Sequence, residues 1–131
     1  MLVDTSGLLC LLHQDEPQHP EAVRLYNDAF RHLTHNYVLA EFVPLAQVRG
    51  LPRSQVLAYS LRALTAGDIE LVWVDEALHR EAVELLLARA DKTYSLCDAV
   101  SFVLMRERGI LEALTTDRHF EQEGFVRLLK P

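Results

Sequence analysis

The chain has 131 residues and a mass of 14.9 kDa, and half of its residues are hydrophobic, which suits one compact domain over 1–131 with a substantial core. Its longest apolar runs, such as Leu8–Leu12, are too short to span a bilayer, and no basic residue precedes the first of them; a membrane protein is excluded and a cytoplasmic one is expected. A formal charge of −6 argues against a protein that grips nucleic acid by positive field alone, because phosphates are met mostly by Lys and Arg.

In chain order, residues 1–4 are predicted to form a strand, followed by a helix from Thr5 that carries Leu8, Leu9, Leu11 and Leu12. The loop "QDEPQHP" leads to Pro20 as a first helical residue. The helix it opens runs to Leu33, with apolar positions at Ala22, Val23, Tyr26, Ala29, Phe30 and Leu33. A short strand over 34–37 precedes a helix that contains Pro44 and ends at Gly50, and another helix lies between Pro52 and Gly67. "IELVWV" reads as a buried strand. The segment 75–90 is an amphipathic helix with Leu78, Ala82, Val83, Leu85 and Leu86 inward. Ser95 to Arg108 forms a helix closed by Gly109, 112–116 a fourth strand, 118–122 a helical turn and 125–129 a last strand. Strands alternating with helices predict the α/β class, with a mainly parallel five-stranded sheet covered on both faces. Cys10 and Cys97, far apart and outside any CxxC, are expected to be buried thiols, not a disulfide or a metal site.

Four carboxylates stand out, and each has an ordinary explanation. Asp4 and Asp117 follow strands and precede helical turns, the place of an N-cap. Asp98, three residues after Ser95, fits a capping box. Glu41 lies among apolar neighbours in "YVLAEFVPLA", where a solvated helix face is the usual account. Together they read differently. In a parallel sheet the carboxyl ends of the strands share one edge, where ligands bind. Asp4 and Asp117 leave that edge, Asp98 begins a helix able to face it, and Glu41 falls in the first turns after the second strand. Two carboxylates about 5 Å apart repel by about 3 kcal/mol at an effective dielectric near 20, so four in one place call for protons or cations. Oxygen ligands alone favour Mg²⁺ or Mn²⁺ over zinc.

The ordered segments "VDTSGLL", "THNYVLAEFVPLA", "YSLCDAVSFVLM" and "TTDRHFEQEGF" resemble the motifs of PIN-domain ribonucleases, particularly the VapC toxins of toxin–antitoxin pairs, over essentially the whole chain. The resemblance implies a three-layer α/β/α fold and metal-assisted hydrolysis of RNA phosphodiesters that leaves a 5′ phosphate and a 3′ hydroxyl. It implies Asp4, Glu41, Asp98 and Asp117 as the acids holding one or two Mg²⁺ or Mn²⁺ ions. Hydroxyls of Thr5, Ser6 and Thr116 would orient them, although capping alone also accounts for Thr5. Cys97 departs from the Thr or Ser the family often has before its third acid. A VapB-like antitoxin is the implied partner, docked on apolar helix surface around Phe30, Phe42 and Leu45 and setting a basic side chain among the carboxylates; the same residues would serve equally as core or as a homodimer contact.

His119 is the histidine nearest the acids, as a structural neighbour of Asp117 or a contact to substrate phosphate. Arg24, Arg31, Arg49 and Arg53 would extend an RNA path or simply solvate helix faces. A noncatalytic PIN-like domain that binds RNA or protein is the alternative, and a phosphoryl-transfer hydrolase a further one, although Asp4-Thr5-Ser6 lacks the Asp-x-Asp of one such fold.

Overall fold

Neighbouring residues of a strand point to opposite faces of its sheet, and the central strand shows what that does here. In the computed structural model, which describes residues 1–131, β1 (Leu2–Val3) sends Leu2 into one buried cluster and Val3 into another. Leu2 lies level with Leu33 of β2 (Leu33–His35) and with Ala113 of β4 (Glu112–Leu114). All three face Phe102, Met105 and Phe120. Val3 lies level with Leu114, and both face the other layer.

The sheet is completed by β3 (Glu70–Val72) and β5 (Val126–Arg127), in the order β3-β2-β1-β4-β5, and every pairing is parallel. On the Val3 side pack α1 (Thr5–Leu12), α2 (His19–Asp28), α3 (Asn36–Val48) and α4 (Arg53–Ala63). On the Leu2 side pack α6 (Leu96–Arg108) and α7 (Arg118–Gln122), with α5 (Glu76–Ala88) laid against α6. This is the three-layer α/β/α arrangement with a five-stranded sheet that the sequence predicts. No helix is long and apolar enough to cross a membrane.

Several boundaries differ from the periodicity. The second helix stops at Asp28 instead of reaching Leu33, because Leu33 donates its amide to the Met1 carbonyl (3.0 Å) and joins the sheet. Phe30, expected on that helix's core side, is fully exposed. The second strand covers 33–35, not 34–37, since His35 already caps α3 by accepting the Val38 amide on Nδ1. "IELVWV" contributes an edge strand and not a buried one: only β2 flanks it, Glu70 is exposed, and Trp73 is largely in solvent. The fourth and fifth strands are shorter than predicted, and Val83 turns outward from α5. Pro44 sits inside α3 without ending it.

Gly7 decides how closely α1 meets the sheet. A Cβ there would lie 1.8 Å from the Leu114 carbonyl oxygen, so only glycine lets the helix after β1 rest on the end of β4. The β1–β4 pairing sets the strand ends that lead to Asp4 and Asp117 beside each other, and Gly7 lets α1 start there without a clash.

Candidate active site

The two central strands end at the same edge, as parallel neighbours must, and each hands on to an acid. Asp4 follows β1 and stands at the cap position of α1. Asp117 lies three residues beyond β4 and caps α7, its Oδ1 accepting the His119 amide at 2.9 Å. Asp98 is in the first turn of α6, and Glu41 is in the second turn of α3. All four line one open cleft of about 410 Å³, in whose lining there is no Lys or Arg.

Protein donors hold one oxygen of each carboxylate. Thr115 Oγ1 donates to Asp4 Oδ2 at 2.9 Å. The Ser95 amide donates to Asp98 Oδ2 at 3.1 Å while Asp98's own amide donates to Ser95 Oγ, so the capping box is formed and also fixes the side chain's direction. Thr5 Oγ1 donates to Glu41 Oε1 at 3.3 Å. Asp98 Oδ1 and Glu41 Oε2 have no hydrogen-bond donor. Carboxylates oriented on one oxygen and open on the other are what coordination by hard cations asks of a protein.

Of Thr5, Ser6 and Thr116, the orienting hydroxyls expected from the sequence, only Thr5 bonds a carboxylate directly; the structure adds Thr115, which is fully buried. Because the Thr115 proton goes to Asp4, Ser6 must donate in the 3.1 Å contact between Ser6 Oγ and Thr115 Oγ1. The Asp117 amide donates to the same Thr115 oxygen (3.0 Å), and the Thr116 amide donates to Ser6 Oγ (3.0 Å). Thr116 itself lines the cleft. Only the burial of the first threonine in "TTD" separates it from the second, and two adjacent threonines at a strand end give no sign of that in the sequence.

His119, expected as a neighbour of Asp117, also meets Asp98. Its Nδ1 lies 2.8 Å from Asp98 Oδ2 and 3.4 Å from Asp117 Oδ2, and its Nε2 lies 3.1 Å from Thr93 Oγ1. Ligand atoms of Asp98, Asp117 and His119 fall within 4.8 Å of one another, close enough to share one ion. Asp4 and Glu41 line the same cleft outside that tightest group.

Electrostatics support a cation. Burial pushes the Asp4 carboxyl up to about 7, and the charge of Asp98 adds to this; the Thr5 amide and Thr115 hydroxyl pull it down, and Asp117 raises it further. An acid buried among acids, with no Lys or Arg in the cleft wall, is stabilised by a divalent ion or else by a proton. Cys97, buried beside the site, has its thiol pushed up by burial and by Asp4, Glu41 and Asp98, and is a packing residue. Both cysteines are free and buried, as predicted.

The surrounding surface separates the alternatives left open for the apolar residues and the arginines. Phe42 is core, Leu45 is at the cleft wall, and Phe30 borders a cavity at the other end of the sheet, beside Met1 and Glu112, so the three do not form one dock. Arg31 lies at that far end as well, and Arg24 is tied to Glu21 and Asp28 on α2. Arg49 borders a cavity that shares Ser6 and Thr116 with the acid cleft.

Comparison with known proteins agrees with this geometry. The PIN domain family profile matches residues 1–125. The 23S rRNA-specific endonuclease VapC20 of Mycobacterium tuberculosis is 34% identical over 129 residues, covering 98% of this chain and 97% of that protein, in each of two strains. The crystal structure of M. tuberculosis VapC20, described as a Sarcin-Ricin loop cleaving toxin, superposes with a TM-score of 0.87 at 28% identity, over 99% of this chain and 98% of that one. The chain therefore belongs to the PIN-domain family, and within it to the VapC type.

Proposed function

We propose that this chain is a divalent-cation-dependent endoribonuclease acting as the toxin of a VapBC pair, with residues 1–131 working as one PIN domain. Asp4, Glu41, Asp98 and Asp117 hold Mg²⁺ or Mn²⁺ in this reading. The observation that carries it is the convergence of four acids, from four separate segments, on one cleft without a Lys or Arg in its wall. A bound divalent ion supplies Lewis-acid stabilisation of phosphate charge and a lowered pKa for water.

The chain's own residues do the rest. Thr115, Ser95 and Thr5 orient Asp4, Asp98 and Glu41, and His119 braces Asp98 from the α7 side. These bonds set coordination geometry before substrate arrives. Oxygen ligands suit Mg²⁺, and an imidazole at the edge of the group shifts the balance toward Mn²⁺. RNA is the substrate, and 23S rRNA, for which the VapC20 relative is specific by name, is the first to test. A VapB-like antitoxin would silence the site by placing a basic side chain among the carboxylates, and a homodimer is the expected assembly.

The test is cleavage of total RNA with Mg²⁺ or Mn²⁺, set against chelator and against Asp98→Asn. Cleavage should need the ion and vanish in the variant. Ion-independent cleavage, or undiminished activity in Asp98→Asn, would overturn the assignment.

A further inference from the structure

The acid cleft has no cation of its own for the phosphates on either side of a scissile bond, but a second cavity opens directly from it. This cavity, about 490 Å³, shares Ser6 and Thr116 with the cleft, and Arg49 and Lys130 stand in its wall. We propose that it is a nucleotide subsite, in which Arg49 and Lys130 hold the phosphate next to the one being cleaved; the inference rests on the nuclease reading above.

The chain is built to place Lys130 there. After β5 the backbone returns to the acid-bearing turn, where the Leu129 amide donates to the Thr115 carbonyl at 3.1 Å and Leu129 is fully buried. Gln18 Nε2 then donates to the Lys130 carbonyl at 2.9 Å and fastens the segment to the start of α2. The Arg49 carbonyl is likewise held, by His13 Nε2 at 2.8 Å. Both cations are therefore carried on fixed backbone while their side chains stay about half exposed.

Their existing partners are replaceable. Arg49 meets the largely buried Glu16 at 3.0 Å and Lys130 meets the more exposed Glu121 at 3.5 Å; both cations keep at least half of the side chain in solvent, where exchanging an ionic partner costs little. Glu16 is the one acidic side chain in the lining, against the two basic side chains of Arg49 and Lys130. Leu9, Pro17 and Pro131 add apolar wall against which a ribose or base can rest. A strand lying over the carboxylates and leaving past Ser6 and Thr116 must cross this cavity, and a phosphate held there helps position the strand without reading its sequence.

The test uses the full chain with Ca²⁺ filling the oxygen ligands and a short fluorescein-labelled oligouridylate as probe, with anisotropy measured across a salt series. Arg49→Ala combined with Lys130→Ala should bind about tenfold more weakly, with the slope of log affinity against log salt shallower by about 0.7, the value for one single-strand phosphate that is no longer neutralised. Arg49→Lys combined with Lys130→Arg should retain binding, as should Arg80→Ala on distant α5. An alanine pair indistinguishable from wild type, an equal loss in Arg80→Ala, or a wild type without salt-dependent binding would each overturn the subsite. Cleavage of total RNA by wild type with Mn²⁺, run alongside, separates the two levels: its absence counts against the nuclease reading, whereas unchanged salt slopes count against the subsite.

Discussion

Thr115 Oγ1 donates to Asp4 Oδ2 across 111 positions of sequence, and the same oxygen accepts the Asp117 amide and the Ser6 hydroxyl. One buried hydroxyl thus fixes the first acid, the last acid and a residue on α1. Thr115→Val keeps the shape and removes every one of these bonds. It should cost about 1–3 kcal/mol of stability, because buried donors are left unmatched, and lower Mn²⁺ affinity by about 10–100-fold, the usual effect of losing a group that orients a ligand. Thr115→Ser should restore most of both. Calorimetric Mn²⁺ titration and urea unfolding measure the two effects, and wild-type Mn²⁺ affinity in Thr115→Val would dismiss the orienting role.

Asp4 gives a second prediction through its proton. Its carboxyl is raised from 3.8 to about 7, first by burial and then by Asp98. The native state therefore holds this proton more tightly than the unfolded chain does. The stability that results is complete below about pH 3.8 and is lost as pH rises through about 7. In chelator near pH 8, Asp4→Asn should melt at a higher temperature than wild type, since it has no buried charge to bear; adding Mn²⁺ should reverse the order. Below about pH 7, Mn²⁺ uptake should weaken and release a proton, because a ligand must be deprotonated to bind. Thermal melts at acidic and alkaline pH, with and without Mn²⁺, check all of this, and identical responses to Mn²⁺ in wild type and variant would remove Asp4 from the ligand set.

These relationships show what a linear sequence carries and what it does not. The alternation of strands and helices is written in local patterns, so the sheet, its parallel sense and its covered faces follow from residue type and spacing. The strand-end positions of Asp4 and Asp117 follow as well, because the sequence places each acid just after an apolar run. Phe30 and Leu33 leave the helix their spacing predicts because helical period competes with long-range pairing, and the amide of Leu33 finds the Met1 carbonyl. Thr115 and the link from His119 to Asp98 are hidden for the same reason. Both depend on which strands neighbour each other and on how closely α1 and α6 approach their ends.

Gly7 shows how a small residue controls that approach. Its missing side chain faces the Leu114 carbonyl, where a Cβ would sit at 1.8 Å, and backbone cannot swing aside as a flexible side chain can. Gly7→Ala, which by helix propensity alone would stabilise α1, should instead destabilise the fold by about 3 kcal/mol. It should also move Asp4 relative to Asp117 and so weaken Mn²⁺ binding. Denaturant unfolding gives the sign directly, and a stabilised Gly7→Ala would show that α1 does not need this closeness.

His35 supplies a titration that runs against Asp4. It is fully buried, its Nδ1 accepts the Val38 amide, and its Nε2 therefore carries the proton and donates to Ser101 Oγ at 2.8 Å. Burial lowers its pKa from 6.5 to about 4. The stability from a neutral His35 is complete above about pH 6.5 and is lost as pH falls through about 4. Asp4 gains stability over much of the same interval as pH falls, so in the metal-free protein the two slopes oppose each other. Wild type in chelator should show a nearly flat stability profile between about pH 4 and 6.5. Asp4→Asn should expose the acid loss due to His35, and His35→Gln should expose the acid gain due to Asp4, at some cost in stability near neutrality. Saturating Mn²⁺ holds Asp4 deprotonated and should steepen the wild-type profile toward that of Asp4→Asn. Urea midpoints across this range in the three proteins decide the matter, and parallel profiles would mean that neither group titrates as its burial requires.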